Sequence, residues 1–290
     1  MDEHRPQDKA VLRTWYALLI IAGAVILLLS TQHHRALSLS GSVHWIALSC
    51  LAFVAEYVDS SLGMGYGTTL TPLLMLLGFS PLEIVPCILF SECLSGLFSG
   101  AMHHGLGNVN LGKGTRARKT AWALASCSVL GTLLAVVLAI HLPKRVVKLY
   151  IGAMILGIGL FILLARQTKG LFSWKRIMGL GSLAAFNKGI SGGGYGPLLT
   201  GGQILSGVPE KDAVGITSLA EGVVCMVGLG LYVALQGWPA WHLALPLAAG
   251  ALCSVPAATF TVRWMPEHLL RRSIGYATAF LGALILFKAF

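Results

Sequence analysis

Long apolar runs separated by short polar loops fill nearly the whole chain. Runs at 13–31, 44–62, 81–102, 120–140, 146–165, 175–190, 211–235, 240–262 and 268–288 are about long enough to cross a bilayer as helices. Two shorter apolar pieces, 66–79 and 195–207, each follow a glycine-rich break. At 1.5 Å per residue, pieces of about 13 to 15 residues span roughly 20 Å, less than a hydrocarbon core. They read as re-entrant half-helices. Irregular backbone at membrane depth survives only against protein or a wet cavity, so both breaks are expected in the interior. The second break, NKGISGGGYGPLL, holds five glycines, a proline and a lysine. Glycine and proline are poor helix-interior residues, and a lysine at membrane depth is costly and rare.

Composition agrees with lipid as the solvent. Of 290 residues, 56% are apolar and 11% charged, with a mean hydropathy of +0.77. Soluble domains carry about 25% charged residues. No stretch is long enough for a separate soluble domain. The net charge of +10 sits in short loops between apolar runs, which suits positive-inside topology and not a nucleic-acid partner. Cys50, Cys87, Cys93, Cys127, Cys225 and Cys253 all lie within apolar runs without CxxC spacing, and read as small buried side chains. The run WYALLIIAGAVILLLS is long for a secretory signal and lacks a clear cleavage site, so it reads as an uncleaved membrane helix.

The chain repeats itself. With residue i set against i+129, ten of the thirty positions from Gly63 to Glu92 are identical, without gaps. They include Gly63/Gly192, Gly65/Gly194, Tyr66/Tyr195, Gly67/Gly196, Gly78/Gly207 and Glu92/Glu221. PKRVVKLYIG (143–152) is matched by PEHLLRRSIG (266–275) at a slightly different offset. The expected organisation is a tail and extra helix (1–43), a first repeat (44–166) and a second repeat (167–290), with 44–290 as one transport domain. Such internal repeats are common in transporters.

Basic residues bear on the relative orientation of the repeats. If the chain turns back at each break and the N-terminus is cytoplasmic, fifteen Lys and Arg face the cytoplasm: three in 5–13, four in 113–119, four in 166–176, Lys211, and three in 263–272. Five face outward (Arg35, Lys144, Arg145, Lys148 and Lys288), with Lys188 in the membrane. If each broken segment instead crosses once, the split is even. The positive-inside rule prefers the turning version, in which the two repeats are inverted. The expected fold is therefore an all-α integral membrane protein of two inverted repeats with re-entrant broken helices, plus an N-terminal transmembrane helix.

Each half-helix begins at its glycine turn, so its unpaired N–H groups and positive dipole end face the centre. Gly63, Gly65, Tyr66 and Gly67 from one turn, and Gly192, Gly193, Gly194, Tyr195 and Gly196 from the other, join Lys188 as a candidate anion site. Pro197 suits the first turn of a half-helix. Glycines that merely allow tight helix packing, with Lys188 snorkelling outward, are the plainer alternative.

DSSLGMGYGTTLTP and NKGISGGGYGPLLT, each followed by a helix with an acidic residue, resemble the sulfite exporter TauE/SafE family over about 44–288. The family's typical glycine run is kept at Gly192, Gly193 and Gly194, whereas Met64 interrupts the first copy. The resemblance implies transport of a small sulfur-containing anion such as sulfite, thiosulfate or an organosulfonate across the plasma (inner) membrane.

Glu92 and Glu221 stand at equivalent places inside apolar runs, and an intramembrane carboxylate is a functional candidate by default. Either suits coupling to H+ or a hydrogen bond to the neighbouring turn. Asp59 precedes the first turn where Lys188 precedes the second, which offers a gating pair across the centre whose members release one another when an anion arrives. Glu56 belongs to the same polar face or simply has a helix partner. Glu92, Ser95, Ser99 and His103 can share one helical face, which keeps a divalent-metal permease open as the second reading. A pair of interfacial histidines, His103 and His104, is the plainer account, and His33 and His34 read as loop residues. Trp238 and Trp241 suit an aromatic belt. No GxxxxGK[ST] motif is present. No catalytic residue, cofactor or metal site is assigned; a nucleophile–base set does not emerge from the sequence, and the chain is not read as an enzyme.

Overall fold

The computed structural model describes residues 41–164 and 173–262, with further helical residues between 276 and 287. The expected first helix at 13–31, the loop at 166–172 and the basic stretch 263–272 lie outside the described residues. Helices in chain order are α1 (Gly41–Leu62), α2 (Tyr66–Leu76), α3 (Pro81–Gly105), α4 (Arg116–His141), α5 (Lys144–Leu164), α6 (Trp174–Ser191), α7 (Tyr195–Leu205), α8 (Glu210–Gln236) and α9 (Trp241–Thr261). Both half-helices are present at 11 residues each, and each starts directly after its glycine turn. Most long helices match their apolar runs to within a few residues. The start of α4 is earlier, at Arg116, because Thr115 caps it: its hydroxyl oxygen accepts from the Arg118 N–H at 3.3 Å.

Five of these helices are long and apolar enough to cross a membrane: α1, α3, α4, α8 and α9. Their outer faces are apolar. Leu130, Leu134 and Leu138 form an exposed i, i+4, i+8 stripe on α4, as lipid contact requires. Cys50 and Cys253 are exposed on α1 and α9, correcting the expectation that all six cysteines are buried. A thiol facing lipid has no need of burial. Trp238 and Trp241 stack at 5.7 Å on the exposed connection between α8 and α9.

The interior is built from pairs of helices that approach through small residues. Helices α3 and α8 run antiparallel, with Leu89 against Gly228, Gly96 against Gly222, and Gly100 against Leu219. Parallel packing joins α1 to α9, where Ser49 lies beside Gly250 and Tyr57 donates to Thr261 at 2.8 Å. Similarly, α6 runs parallel to α4, with Gly181 beside Cys127 and Gly189 beside Ala135. Gly159 on α5 meets Ala279, and Gly282 meets Leu156, so α5 and the last helical stretch are also antiparallel. The short helices are enclosed in matching ways. Leu70 and Leu74 of α2 share a core with Leu51, Ile84, Ile88, Leu243 and Leu247. Tyr195 and Leu199 of α7 share another with Leu124, Ile177, Ile216 and Val224.

Candidate functional site

Each turn is shaped by two glycines with positive φ, a region that L side chains adopt only with strain. In the first, Gly63 (φ 67°) ends α1 and Gly65 (φ 137°) precedes α2. In the second, Gly192 (φ 73°) ends α6 and Gly194 (φ 84°) precedes α7. Matching hydrogen bonds close the two long helices: Gly63 N–H donates to Asp59 O at 2.6 Å, and Gly192 N–H to Lys188 O at 2.8 Å.

The turns lie backbone against backbone. A Cβ on Gly67 would sit 1.8 Å from Gly192 O, and one on Gly196 would sit 2.4 Å from Gly63 O. Gly193 lies equally close to Gly67 and Thr68. Two hydroxyls pin the contact: Thr71 donates to Ser191 O and Thr200 to Gly63 O, both at 2.7 Å. Thus Gly67, Gly193 and Gly196 serve the approach of one turn to the other. Thr71 and Thr200 were missed as site residues, although they are among the ten identities of the 129-residue offset. Tyr66 and Tyr195 are fully buried, with their hydroxyls beside Ser91 (2.6 Å) and Ser128 (3.4 Å). They anchor each short helix in its core.

The charged centre lies beside the turns. The Lys188 ammonium contacts Glu92 Oε2 and lies 2.7 Å from Glu221 Oε1. Asp59, Glu92 and Glu221 each bring a carboxylate oxygen within 4.8 Å of the others. Lys188 is 1% exposed, and Asp59, Glu92 and Glu221 no more than 7%. Burial this complete rules out the snorkelling lysine. The expected Asp59–Lys188 pair is corrected: the ion-pair partners of Lys188 are the two glutamates. The antiparallel seam between α3 and α8 brings Glu92 and Glu221 together, and Lys188 enters between them from α6. Asp59 instead accepts from the Tyr66 N–H at 3.3 Å, so a carboxylate already occupies the tip of α2. At the other tip, Ser191 Oγ accepts from the Gly193 N–H at 3.0 Å. Glu56 belongs to the same polar interior and accepts from Ser60 (2.6 Å) and Ser95 (3.0 Å). Glu92 Oε1 is buried with no hydrogen-bond partner among the described residues.

His103 lies inside the protein and is not among these carboxylates. It is fully buried, with Nε2 2.9 Å from Ser60 O and Nδ1 accepting from Asn108 at 3.1 Å. Asn108 also donates to Thr259 O, so the histidine ties the end of α3 to α1 and α9. His104 alone is exposed. His103→Leu is expected to cost roughly 1–3 kcal/mol by removing the partner of Ser60 O and one of the two partners of the Asn108 amide, without changing which solute is carried. Thermal unfolding and substrate competition check the two halves of that statement.

A close set of carboxylates is the type of donor group that holds a hard cation, and here the lysine ammonium fills that part. Two carboxylates thus meet one buried ammonium, beside two backbone turns in contact.

Comparison with known proteins agrees with a transport role. The family model described as Sulfite exporter TauE/SafE matches residues 47–285. A relative from Bacillus subtilis (strain 168), "Probable membrane transporter protein YtnM", is 26% identical over 244 residues, covering 79% of this chain and 78% of the relative. No solved structure matches. The all-helical build, the lipid-facing surface and the paired glycine turns thus belong to a membrane transporter, and the chain is a member of the TauE/SafE sulfite exporter family.

Proposed function

We propose that the protein is a secondary transporter of a small sulfur-containing anion, such as sulfite, thiosulfate or an organosulfonate, driven by an ion gradient across the plasma membrane. The observation that carries this reading is the buried Lys188 beside two stacked glycine turns at which short helices begin. Helix N-termini and an ammonium attract the same charge. In purified protein reconstituted into liposomes, labelled thiosulfate or sulfite is expected to enter saturably. Nickel flux without anion flux would overturn the reading. The divalent-metal alternative would use Asp59, Glu92 and Glu221, but Lys188 already sits on two of them and His103 is bonded elsewhere.

The anion reading includes inverted repeats. Two observations support the inversion: equivalent helices α3 and α8 pack antiparallel, and turn contacts are reciprocal, Gly67 with Gly192 and Gly196 with Gly63. Reciprocity of this kind is what a two-fold relation produces. With the N-terminus cytoplasmic, position 80 faces outward and position 209 the cytoplasm. Ser80→Cys and Pro209→Cys, made with Cys50 and Cys253 replaced by serine, are expected to react with impermeant thiol reagents from opposite sides of the membrane. Labelling from one side would remove the inversion.

A further inference from the structure

The buried centre holds more acid than base. Glu56 and Asp59 come from α1, Glu92 from α3 and Glu221 from α8, while Lys188 of α6 is the cation among them. All five are nine-tenths buried or more. Cys225 faces the same point, its thiol 3.9 Å from Glu92 Oε2. The hydroxyls of Tyr66 and Tyr195 lie against Ser91 and Ser128, and His103 is held at Ser60 O. No second Lys, Arg or His appears among the described ion pairs of this centre.

An anion therefore meets a lysine that is already taken. For Lys188 to bind it, the ammonium must leave Glu92 and Glu221. Two bare carboxylates would then remain in a dry interior beside a new negative charge. Breaking a buried pair by removing one partner is strongly unfavourable, and a buried carboxylate without a counter-ion is neutralised. Among the described residues, Glu92 Oε1 has no hydrogen-bond partner.

We infer that Lys188, Glu92 and Glu221 form an exchange site, in which the anion takes Lys188 and protons take its place on the two glutamates. This inference rests on the anion reading above and deepens it by naming the coupling ion, its acceptors and the sense of coupling. The balance is simple: the ammonium keeps its charge, each carboxylate gains one proton from solution, and no covalent bond to the anion forms. Because anion and protons occupy the centre together, they move together and in the same direction.

The test is calorimetric titration of the purified full chain in detergent with thiosulfate, a dianion throughout the range around neutral pH. Running it in two buffers of different ionisation enthalpy gives affinity and proton exchange together. Expected is an uptake of about one to two protons per thiosulfate, matching the two glutamates released. Affinity should rise about tenfold per pH unit of acidification for each proton taken up. Glu92→Gln and Glu221→Gln should each lower the uptake while still binding thiosulfate. Binding with no proton uptake, with proton release, or with a requirement for sodium instead would overturn the exchange site and leave the anion reading standing. Failure of thiosulfate, sulfite and an organosulfonate to bind at all would remove the anion reading and this inference with it. The wild-type titration is decisive alone, so a variant that does not fold changes neither outcome.

Discussion

Lys188→Gln is expected to abolish anion flux and to destabilise the protein by roughly 3–5 kcal/mol, the usual cost of removing one partner from a buried ion pair. The ammonium is the shared counter-ion of Glu92 and Glu221. Without it, two carboxylates face each other in an interior with Asp59 close by. Loss of transport in this variant alone would not separate a lost binding group from a collapsed centre. The discriminating protein is the triple variant Lys188→Met, Glu92→Gln, Glu221→Gln. It removes all three charges at similar volume, and replacing a buried ion set by neutral groups is often neutral or stabilising. The triple variant should recover most of the lost thermal stability, read by unfolding in detergent, and should still carry no anion. Wild-type flux in the triple variant would show that Lys188 has no part in binding.

Gly67→Ala is expected to be the most damaging glycine-to-alanine change among the described residues. Its Cβ would fall 1.8 Å from Gly192 O and within 2.8 Å of Gly193 Cα. These neighbours are backbone of the other turn, which cannot rotate away as a side chain does. Overpacking usually costs about 1–3 kcal/mol and more where nothing can yield, so a loss of at least about 3 kcal/mol is expected, together with transport. Gly196→Ala should behave alike, because its Cβ would lie 2.4 Å from Gly63 O. The contrast is Gly157→Ala on α5, where no atom of the described residues lies within 4 Å of the added methyl. There the lower backbone entropy of alanine should leave stability unchanged or raise it by about 0.5–1 kcal/mol. Unfolding temperature and liposome flux, measured for all three, check the ordering. Equal tolerance at 67 and 157 would mean that the turns are not in contact in the working protein.

Much of the architecture was legible because lipid is a severe solvent. Apolar runs of bilayer length specify where helices lie, and the boundaries of α1, α3, α8 and α9 follow them closely. Glycine pairs in a repeated frame announced both breaks, since only glycine takes positive φ without strain. Glu92, Glu221 and Lys188 stood out for the same reason: charge at membrane depth is too costly to be casual. The pair offered for Lys188, with Asp59, is not the one formed. The 129-residue register says which residues are equivalent, and equivalence is not contact. His103 shows the same limit: its helical face was readable, but its partners, Ser60 and Asn108, come from α1 and from the loop after α3.

By itself, then, the amino-acid order determined the helices, the two breaks, the repeat and the roster of buried charges, because each depends on local backbone freedom or on solvation of one segment. Only the tertiary structure decided that the glycines of one turn lie against the other, that Asp59 occupies the tip of α2, and that Lys188 rests on two glutamates. Those facts depend on how antiparallel α3 and α8 and the parallel pairs around them meet through small residues, and distance across a packed interface is written in no single segment.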